Sequence, residues 1–288
     1  MIVHLYTFCF NDEHMLAFFF KHYNDVVDKY FVFDDGSTDQ TLDILRKQER
    51  VEIRKAPDLS KSDHRILESN IFQNSFWKES VGVADWIFVV DVDEHLFHND
   101  LRSYLVACKE NGVTVVPAIG FEMVGENFPP KDHRLCDVLT KGEPSFLYSK
   151  PSIFSPNSIT NMRFSLGRHG ASPEGHIVLP QCDEVLLLHF KHVDFEFLLR
   201  RHREFLLRQS ITDIKNGHGI HYSSNADQLR KSWDSLVSRS IDVRHQQTIK
   251  KNGRKRDYWW YPLEKFRLRN EGSDRFKWRN FVPFIDWF

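Results

Sequence analysis

The sequence predicts an α/β protein with a mostly parallel sheet and helices on both faces. Over the first hundred residues, short β-branched or aromatic runs alternate with segments of helical spacing, which is typical of βαβ units. Acidic clusters directly follow two of the predicted strands, at residues 34–35 and 91–94. The composition, 41% hydrophobic and 27% charged over 288 residues with 25 phenylalanines, permits a large core.

The elements of the first hundred residues follow in order. Strands are predicted at residues 2–10, 30–33, 51–55 and 86–90, and helices at 13–23, 38–48 and 66–82. Asn11 and Asp12 offer N-cap chemistry for the first helix. Ser37 and Gln40 fit a capping box for the second. Strands that alternate with helices in this way pair in parallel, so their carboxyl ends meet at one edge of the sheet.

The alternation weakens after residue 112. Strands are predicted at residues 113–124 and 184–190, helices at 194–214 and 225–241, and loops around short strands in the segment 125–182, which is rich in Pro, Gly, Ser and His. From Arg239 onward, basic and aromatic residues become frequent. We therefore expect one large domain at 1–212 and a helical basic and aromatic extension at 213–288.

Bulk features exclude several classes of protein. The formal net charge of −1 gives no polyelectrolyte bias, and the four scattered cysteines contain no CxxC pair, which argues against a zinc ribbon. The start of the chain lacks the basic and apolar regions of a signal peptide, and no run reaches the roughly 20 apolar residues of a membrane span. These features predict a cytoplasmic protein with reduced thiols.

The stretch WIFVVDVDE places Asp91, Asp93 and Glu94 at the end of a buried strand. Alternate strand residues point to the same side, so Asp91 and Asp93 are expected to face together. Two such carboxylates suit a hard divalent cation whose other ligands are substrate phosphates. The alternative is an exposed acidic turn that caps the next helix.

The stretch FVFDDGSTDQT places Asp34 and Asp35 at the end of another strand, before a turn permitted by Gly36. One interpretation is that Asp35 or Asp34 accepts a hydrogen bond from a nucleobase imide N–H. The alternative is a well-capped turn between a strand and a helix.

Together, DDGSTD and the later DVD resemble the motifs of family 2 glycosyltransferases of the GT-A fold. The opening HLYTFCFNDEHMLAFFFKHY is also similar to the usual first strand and helix of that family. The resemblance is good over residues 2–100 and patchier to about 210. It implies transfer of a hexosyl or pentosyl group from a nucleoside-diphosphate sugar, with UDP-sugar expected, and a Mn²⁺ or Mg²⁺ cofactor.

The resemblance also implies roles for individual residues. Asp91 would approach the ribose and the metal's water shell, and Asp93 would bind the metal directly. His189, at the end of a later strand, would be a further metal ligand and would favour manganese. Lys150 would neutralise the diphosphate. The residues expected around the nucleotide are Thr7, Asp34, Asp35 and Ser37. For His189 and Lys150, a buried structural histidine and a surface lysine are the alternatives.

An inverting transferase needs a base that takes the proton of the acceptor hydroxyl. The late acidic residue usual in the family is not evident, so the pattern departs from the resemblance here. We favour Glu122, or His169 in the segment GRHG, where flanking glycines let backbone approach a ligand. The other candidates are Glu126, Glu174 and Asp183. Without a base, retention of configuration becomes the alternative.

The acceptor is left open by the sequence. The tail around Trp278 and Phe284 mixes cations with aromatic rings. It fits a structural subdomain, a peripheral membrane contact near a glycan or lipid-linked acceptor, or contact with nucleic acid.

Two other functions compete with sugar transfer. They are nucleotidyl transfer, which lacks its expected glycine-rich loop, and a binding protein without turnover.

Overall fold

The computed structural model describes residues 1–244 and 255–268. The strands are β1 (Val3–Cys9), β2 (Lys29–Asp34), β3 (Val51–Lys55), β4 (Trp86–Val89), β5 (Glu94–Phe97), β6 (Val115–Val116), β7 (Ala118–Gly125), β8 (Lys141–Pro144), β9 (Ile153–Phe154), β10 (Ile159–Asn161), β11 (Glu174–Gly175), β12 (Val185–Val193) and β13 (Ile241–Asp242). The helices are α1 (Leu16–Tyr23), α2 (Thr41–Leu45), α3 (Arg65–Gln73), α4 (Leu101–Glu110), α5 (Leu135–Val138), α6 (Phe195–Leu206), α7 (Ile211–Lys215) and α8 (Ala226–Arg239).

The first sheet has the strand order β3-β2-β1-β4-β9-β6. Strands β1 to β4 pair in parallel, whereas β9 pairs antiparallel with β4 and β6. The order reverses at β1, since β2 and β3 lie on one side of it and β4 on the other. Ligands of open α/β sheets bind beyond the carboxyl ends of the strands at such a reversal. The topology therefore points to the carboxyl ends of β1 and β4.

The second sheet has the strand order β13-β8-β7-β12-β5. Strands β7 and β12 are parallel, and their outer neighbours pair antiparallel. The chain passes from the first sheet to the second in the turn between β4 and β5, which is the acidic stretch 91–93. This turn therefore lies where the two sheets meet.

The core includes many aromatic side chains of the first sheet and of the segments packed against it. Trp77, Trp86 and Tyr6 are buried, and Tyr6 stacks on Phe31 with ring centroids 4.6 Å apart. The predicted α/β class is confirmed. The sheets are more mixed than predicted, because among the described strands only β1–β4 and the β7/β12 pair are parallel.

Three predicted elements are divided in the structure. The helix predicted at 66–82 ends at Gln73 and is followed by a separate 3₁₀ helix at Phe76–Ser80. The strand predicted at 113–124 breaks at Pro117 into β6 and β7, which belong to different sheets. Proline cannot donate to a ladder, so it suits such a break. The helix predicted at 194–214 ends at Leu206, and the Ser210 side chain accepts from the N–H of Asp213 to cap α7. Helical spacing alone could not reveal this second start.

The predicted helix caps are wrong. Helix α1 begins at Leu16 without a side-chain cap, and the Asn11 side chain instead accepts the N–H of Thr38. Helix α2 begins at Thr41, so Ser37 does not cap it, and the Ser37 hydroxyl accepts the N–H of Asn11. These polar side chains tie the loop after β1 to the loop after β2. Tertiary partners thus compete successfully with local capping.

The boundary predicted at residue 212 crosses packed structure. Asp213 is buried, and its carboxylate accepts the N–H of Ile66 at 3.3 Å. Helix α8 packs on α6 through a small cluster that contains Leu198, Leu229 and Trp233. The division into two domains stays a prediction, and the aromatic residues predicted to meet a membrane lie outside the described residues. In the described ranges no helix combines the length and apolarity needed to cross a membrane.

Candidate active site

A cavity of about 560 Å³ opens at the carboxyl ends of β1 and β4, and we call it the switch-point cavity. Its walls come from the end of β1, the turn between β4 and β5, strand β12, helix α6 and the loops around residues 148–150 and 166–169. Of the residues predicted from the sequence, it brings together Asp35, Asp91, Asp93, Lys150, His169 and His189.

Asp91 and Asp93 lie in a turn rather than on a strand, so the predicted alternation does not apply to them. The N–H of Glu94 donates to the carbonyl of Asp91 at 3.0 Å and closes this turn. The two aspartates have different partners. Asp91 pairs with Arg168 and Lys150, whereas Asp93 faces His189. Both still border the cavity, but they do not act as one pair.

Behind the turn lies a network of four charged groups, which we call the charge network: Asp91, Glu94, Lys150 and Arg168. Lys150 Nζ is 2.5 Å from Glu94 Oε1 and 3.2 Å from Asp91 Oδ2. Arg168 Nη2 is 2.6 Å from Asp91 Oδ1, and its Nη1 donates to the carbonyl of Val89. Glu94, Lys150 and Arg168 are buried. Two cations thus match two carboxylates, as buried charges require.

The network fixes the charge states of its members. Burial alone would raise the pKa of Asp91, but the guanidinium of Arg168 and the ammonium of Lys150 hold that pKa well below its usual range. Burial opposes the charge on Lys150, yet Glu94 and Asp91 raise the pKa of its ammonium. Asp91 therefore stays ionised, with both carboxylate oxygens in ion pairs.

Asp93 and His189 offer the better fit to a divalent ion. Asp93 Oδ2 lies 3.4 Å from His189 Nε2, a separation that a shared ion can bridge at ligand distances of about 2.0–2.2 Å. Nδ1 of His189 is buried and has no hydrogen-bond partner in the described part of the chain, and the Tyr148 ring stacks on the imidazole at 4.2 Å. Within residues 1–244 and 255–268 no third such side chain joins them. The remaining ligands would come from substrate and water, and a mixed oxygen and nitrogen set suits manganese.

Lys191 is a cation that the sequence analysis did not identify. Register shifts between His189 and His192, where β12 carries a bulge, and Lys191 borders the cavity beside His189. Its ammonium lies 5.2 Å from the Tyr222 ring centroid, and no carboxylate of the described residues forms an ion pair with it. Burial lowers the pKa of this lysine. An anionic ligand would supply the missing counter-charge.

Asp35 borders the cavity at the end of β2 but is already paired. Its carboxylate binds Arg65, and it lies 2.7 Å from Arg208 Nη2. The Arg208 guanidinium lies over the Phe10 ring, 3.5 Å from its centroid. A nucleobase that used Asp35 as an acceptor would have to share it with these arginines.

Thr7, Asp34 and Ser37, which are predicted at the nucleotide, do not border the switch-point cavity. Thr7 is buried, and its hydroxyl donates to the carbonyl of Phe8. Asp34 accepts the N–H groups of Gly36 and Ser37 and so shapes the turn after β2. Their direct contact with a nucleotide stays a prediction.

His169 and Glu122, the favoured bases, occupy different positions. The Nδ1–H of His169 donates to the Leu147 carbonyl at 2.8 Å, which leaves Nε2 as the acceptor nitrogen. Burial, followed by the Lys150 charge, lowers the pKa of His169, so the imidazole is neutral at pH 7. Glu122 does not border the switch-point cavity, and burial raises the pKa of its carboxyl. His169 is therefore the better placed.

The other candidate bases lie elsewhere. Glu126 is exposed after β7, Glu174 pairs with Arg163, and Asp183 pairs with Arg267. None of these three borders the switch-point cavity.

Two glycines allow the segments that line the cavity to pack closely. A Cβ on Gly120 would come within 2.2 Å of the Tyr148 backbone, so only glycine lets the loop of Tyr148 and Lys150 lie against β7. Gly167 has a φ of 68°, and a Cβ there would lie 2.7 Å from His169 Nε2. The GRHG segment thus turns sharply enough to send Arg168 inward and His169 to the cavity.

No family model and no curated protein matches the chain. Among solved structures it resembles S. aureus TarS 1-349 in complex with UDP (18% identity, TM-score 0.30, covering 54% of this chain and 47% of that one). It also resembles glucosyl-3-phosphoglycerate synthase from Mycobacterium tuberculosis in complex with Mn²⁺, UDP and phosphoglyceric acid (20%, 0.28, 42% and 43%). A third is core-mannan synthase A from Aspergillus fumigatus in its Mn/GDP form (12%, 0.28, 44% and 43%).

Each of these three matches covers less than half of the solved chain. The last two are named as synthases of glucosyl-3-phosphoglycerate and of core mannan. Because identities and TM-scores are low, the function below is argued from the residues of the site.

Sequence reasoning missed Arg168 and Lys191. The sequence contains a weak indication of a site role for each of them. Lys191 follows His189 by two positions, and strand alternation places such residues on the same face. Arg168 sits inside the GRHG segment that drew attention to His169, but only the fold shows that it turns inward.

Proposed function

We propose that this chain is a glycosyltransferase that moves a sugar from a nucleoside diphosphate to an acceptor hydroxyl, with inversion at the anomeric carbon. The observation that carries this proposal is that Asp93 and His189 face each other in the lining of a cavity at the strand-order reversal. Lys191, which has no ion-pair partner among the described residues, lies beside them. A metal-binding pair next to a free cation suits a diphosphate.

The donor would lie along the switch-point cavity. Its nucleobase would occupy the end near Asp35, Phe10 and Arg208, and its diphosphate would reach Lys191. UDP is the expected nucleotide. Asp93 and His189 would hold a divalent ion, Mn²⁺ in preference to Mg²⁺, which when bound neutralises charge on the leaving diphosphate. Lys150 is committed to Asp91 and Glu94, so its influence on the diphosphate would be indirect.

His169 would act as the general base. Its Nε2 takes the proton from the acceptor hydroxyl while that oxygen bonds to the anomeric carbon. The bond from that carbon to the diphosphate oxygen breaks in the same step, and the electron pair leaves with the nucleoside diphosphate. The hydrogen bond from Nδ1 to the Leu147 carbonyl holds the ring in the tautomer that this role requires.

A thermal-shift panel of UDP, GDP, CDP and TDP, each with and without Mn²⁺, tests the donor site. We expect one nucleotide, UDP, to raise the midpoint more with Mn²⁺ than without it. A ligand at a hundredfold excess over its Kd stabilises by about 2.7 kcal/mol. Asp93→Asn should remove the metal-dependent part, whereas Asp132→Asn, an exposed aspartate, should not. No shift with any nucleotide would refute the proposal.

Lys191→Met is expected to weaken nucleoside diphosphate binding about 10- to 150-fold, because a charge-assisted hydrogen bond contributes about 1.5–3 kcal/mol. The variant should fold well, since burial already disfavours the charged lysine and lowers its pKa. Calorimetric titration with UDP and Mn²⁺ measures the change. Lys47→Met, at an exposed position, is the matched control. Equal affinities in both variants would show that Lys191 does not contact the diphosphate.

A further inference from the structure

A second cavity, which we call the outer groove, has a volume of about 580 Å³. It is lined by residues 143–147 together with Glu122, His169 and Asp257. His169 borders both this groove and the switch-point cavity. A molecule in the outer groove would therefore lie beside the proposed base, as would a nucleotide in the switch-point cavity.

The two cavities share one face of the second sheet. Glu143 on β8 is the register partner of Glu122 on β7, and Glu122 is the register partner of His189 on β12. Cross-strand partners point to the same face of a sheet. A row of polar side chains therefore runs from the outer groove to the pair Asp93 and His189. The Tyr148 ring stands over this row between His189 and His169, at centroid distances of 4.2 and 5.7 Å.

The outer groove is acidic. Its titratable groups are Glu122, Glu143, Asp257 and the neutral His169. Arg239 pairs with Glu143 at 2.7 Å, but no described cation forms an ion pair with Glu122. The basic groups that act on the Glu122 carboxyl through their charge are His189, Lys191 and Arg239. Of the three carboxylates in the groove, Glu122 and Asp257 thus form no ion pair within the described residues.

We propose that the outer groove binds the acceptor, and that the acceptor is an uncharged or amino sugar rather than a phosphate-bearing molecule. This inference rests on the proposed function. Carboxylates accept hydrogen bonds from hydroxyl and ammonium groups but repel phosphates. Phe146, held edge-on against Tyr258 at 5.0 Å, provides an apolar surface for the ring of a sugar. A lipid phosphate or a nucleic-acid backbone would meet like charge at this groove.

Binding of small probes to protein saturated with UDP and Mn²⁺ tests the inference. The probes are a neutral sugar (methyl β-glucoside), an amino sugar (glucosamine), an anionic sugar (glucose 6-phosphate) and a short single-stranded oligonucleotide, each followed by saturation-transfer NMR. We expect the first two to bind and the two phosphates to bind at least about tenfold more weakly.

Variants at the groove sharpen the test. Glu122→Lys should weaken glucosamine binding and strengthen glucose 6-phosphate binding. Glu122→Gln should lessen the preference for glucosamine over glucose 6-phosphate without reversing it. Glu49→Lys, at an exposed position outside both cavities, should leave the order unchanged. Phosphate probes that bind as tightly as the neutral ones, or no binding by either sugar, would overturn the inference. If UDP with Mn²⁺ does not raise the thermal midpoint of the same samples, the proposed function itself is refuted. Failure of the acceptor inference and failure of the proposed function are therefore distinguishable.

Discussion

Replacing His169 by asparagine is expected to lower turnover by about 10²–10⁴-fold, the usual contribution of a positioned general base. Asparagine keeps an N–H that can donate to the Leu147 carbonyl, as Nδ1 of His169 does, but it lacks a basic nitrogen at the place of Nε2. UDP affinity should therefore stay near that of the parent. UDP release in the presence of the best-binding sugar of the outer groove measures turnover.

The pH dependence gives an independent readout of the same residue. The base must be unprotonated, and burial with the neighbouring Lys150 lowers the pKa of His169 below its usual value of 6.5. Activity should therefore persist below pH 6.5 and fall only as the pH drops through this lowered value. In His169→Asn that acid limb should disappear from kcat/KM. His133→Asn, on an exposed loop, is the control. An unchanged profile in His169→Asn would exclude the residue as the base.

Replacing Arg168 by leucine is expected to destabilise the folded protein by about 3–5 kcal/mol. The reason is that Glu94 is fully buried, and the change removes one of the two cations that match Glu94 and Asp91. Arg163→Leu is a matched control from the same segment, because its ion pair with Glu174 is exposed, and such pairs contribute about 0–1 kcal/mol. Denaturant unfolding measures both free energies.

A double variant separates the charge effect from packing. If the loss in Arg168→Leu comes from an unpaired carboxylate, adding Glu94→Gln should recover part of it, so the two changes should not be additive. Strict additivity, or a loss in Arg168→Leu no larger than in Arg163→Leu, would contradict the role given to the charge network.

The site residues that could be predicted from the sequence are those that lie on, or just beyond, a strand that the sequence itself reveals. Asp35 directly follows β2, and Asp93 lies just beyond β4. His189 lies on β12. Hydrophobic runs locate such strands, and the parallel pairing of the first sheet brings the carboxyl ends of β2 and β4 to one edge. The caps of α1 and α2 were predicted wrongly by the same local logic, because Asn11 and Ser37 have partners in each other's loops.

The sequence by itself determined the α/β class, the order of the first four strands along the chain, and the placement of acidic residues at one rim. Only the tertiary structure decided that Asp91 is bound by Arg168 and Lys150, while Asp93 faces His189. It also decided that Lys191 has no carboxylate partner among the described residues and that His169 borders two cavities. The physical reason is that these facts depend on contacts between segments distant in sequence, and local periodicity carries no information about such contacts.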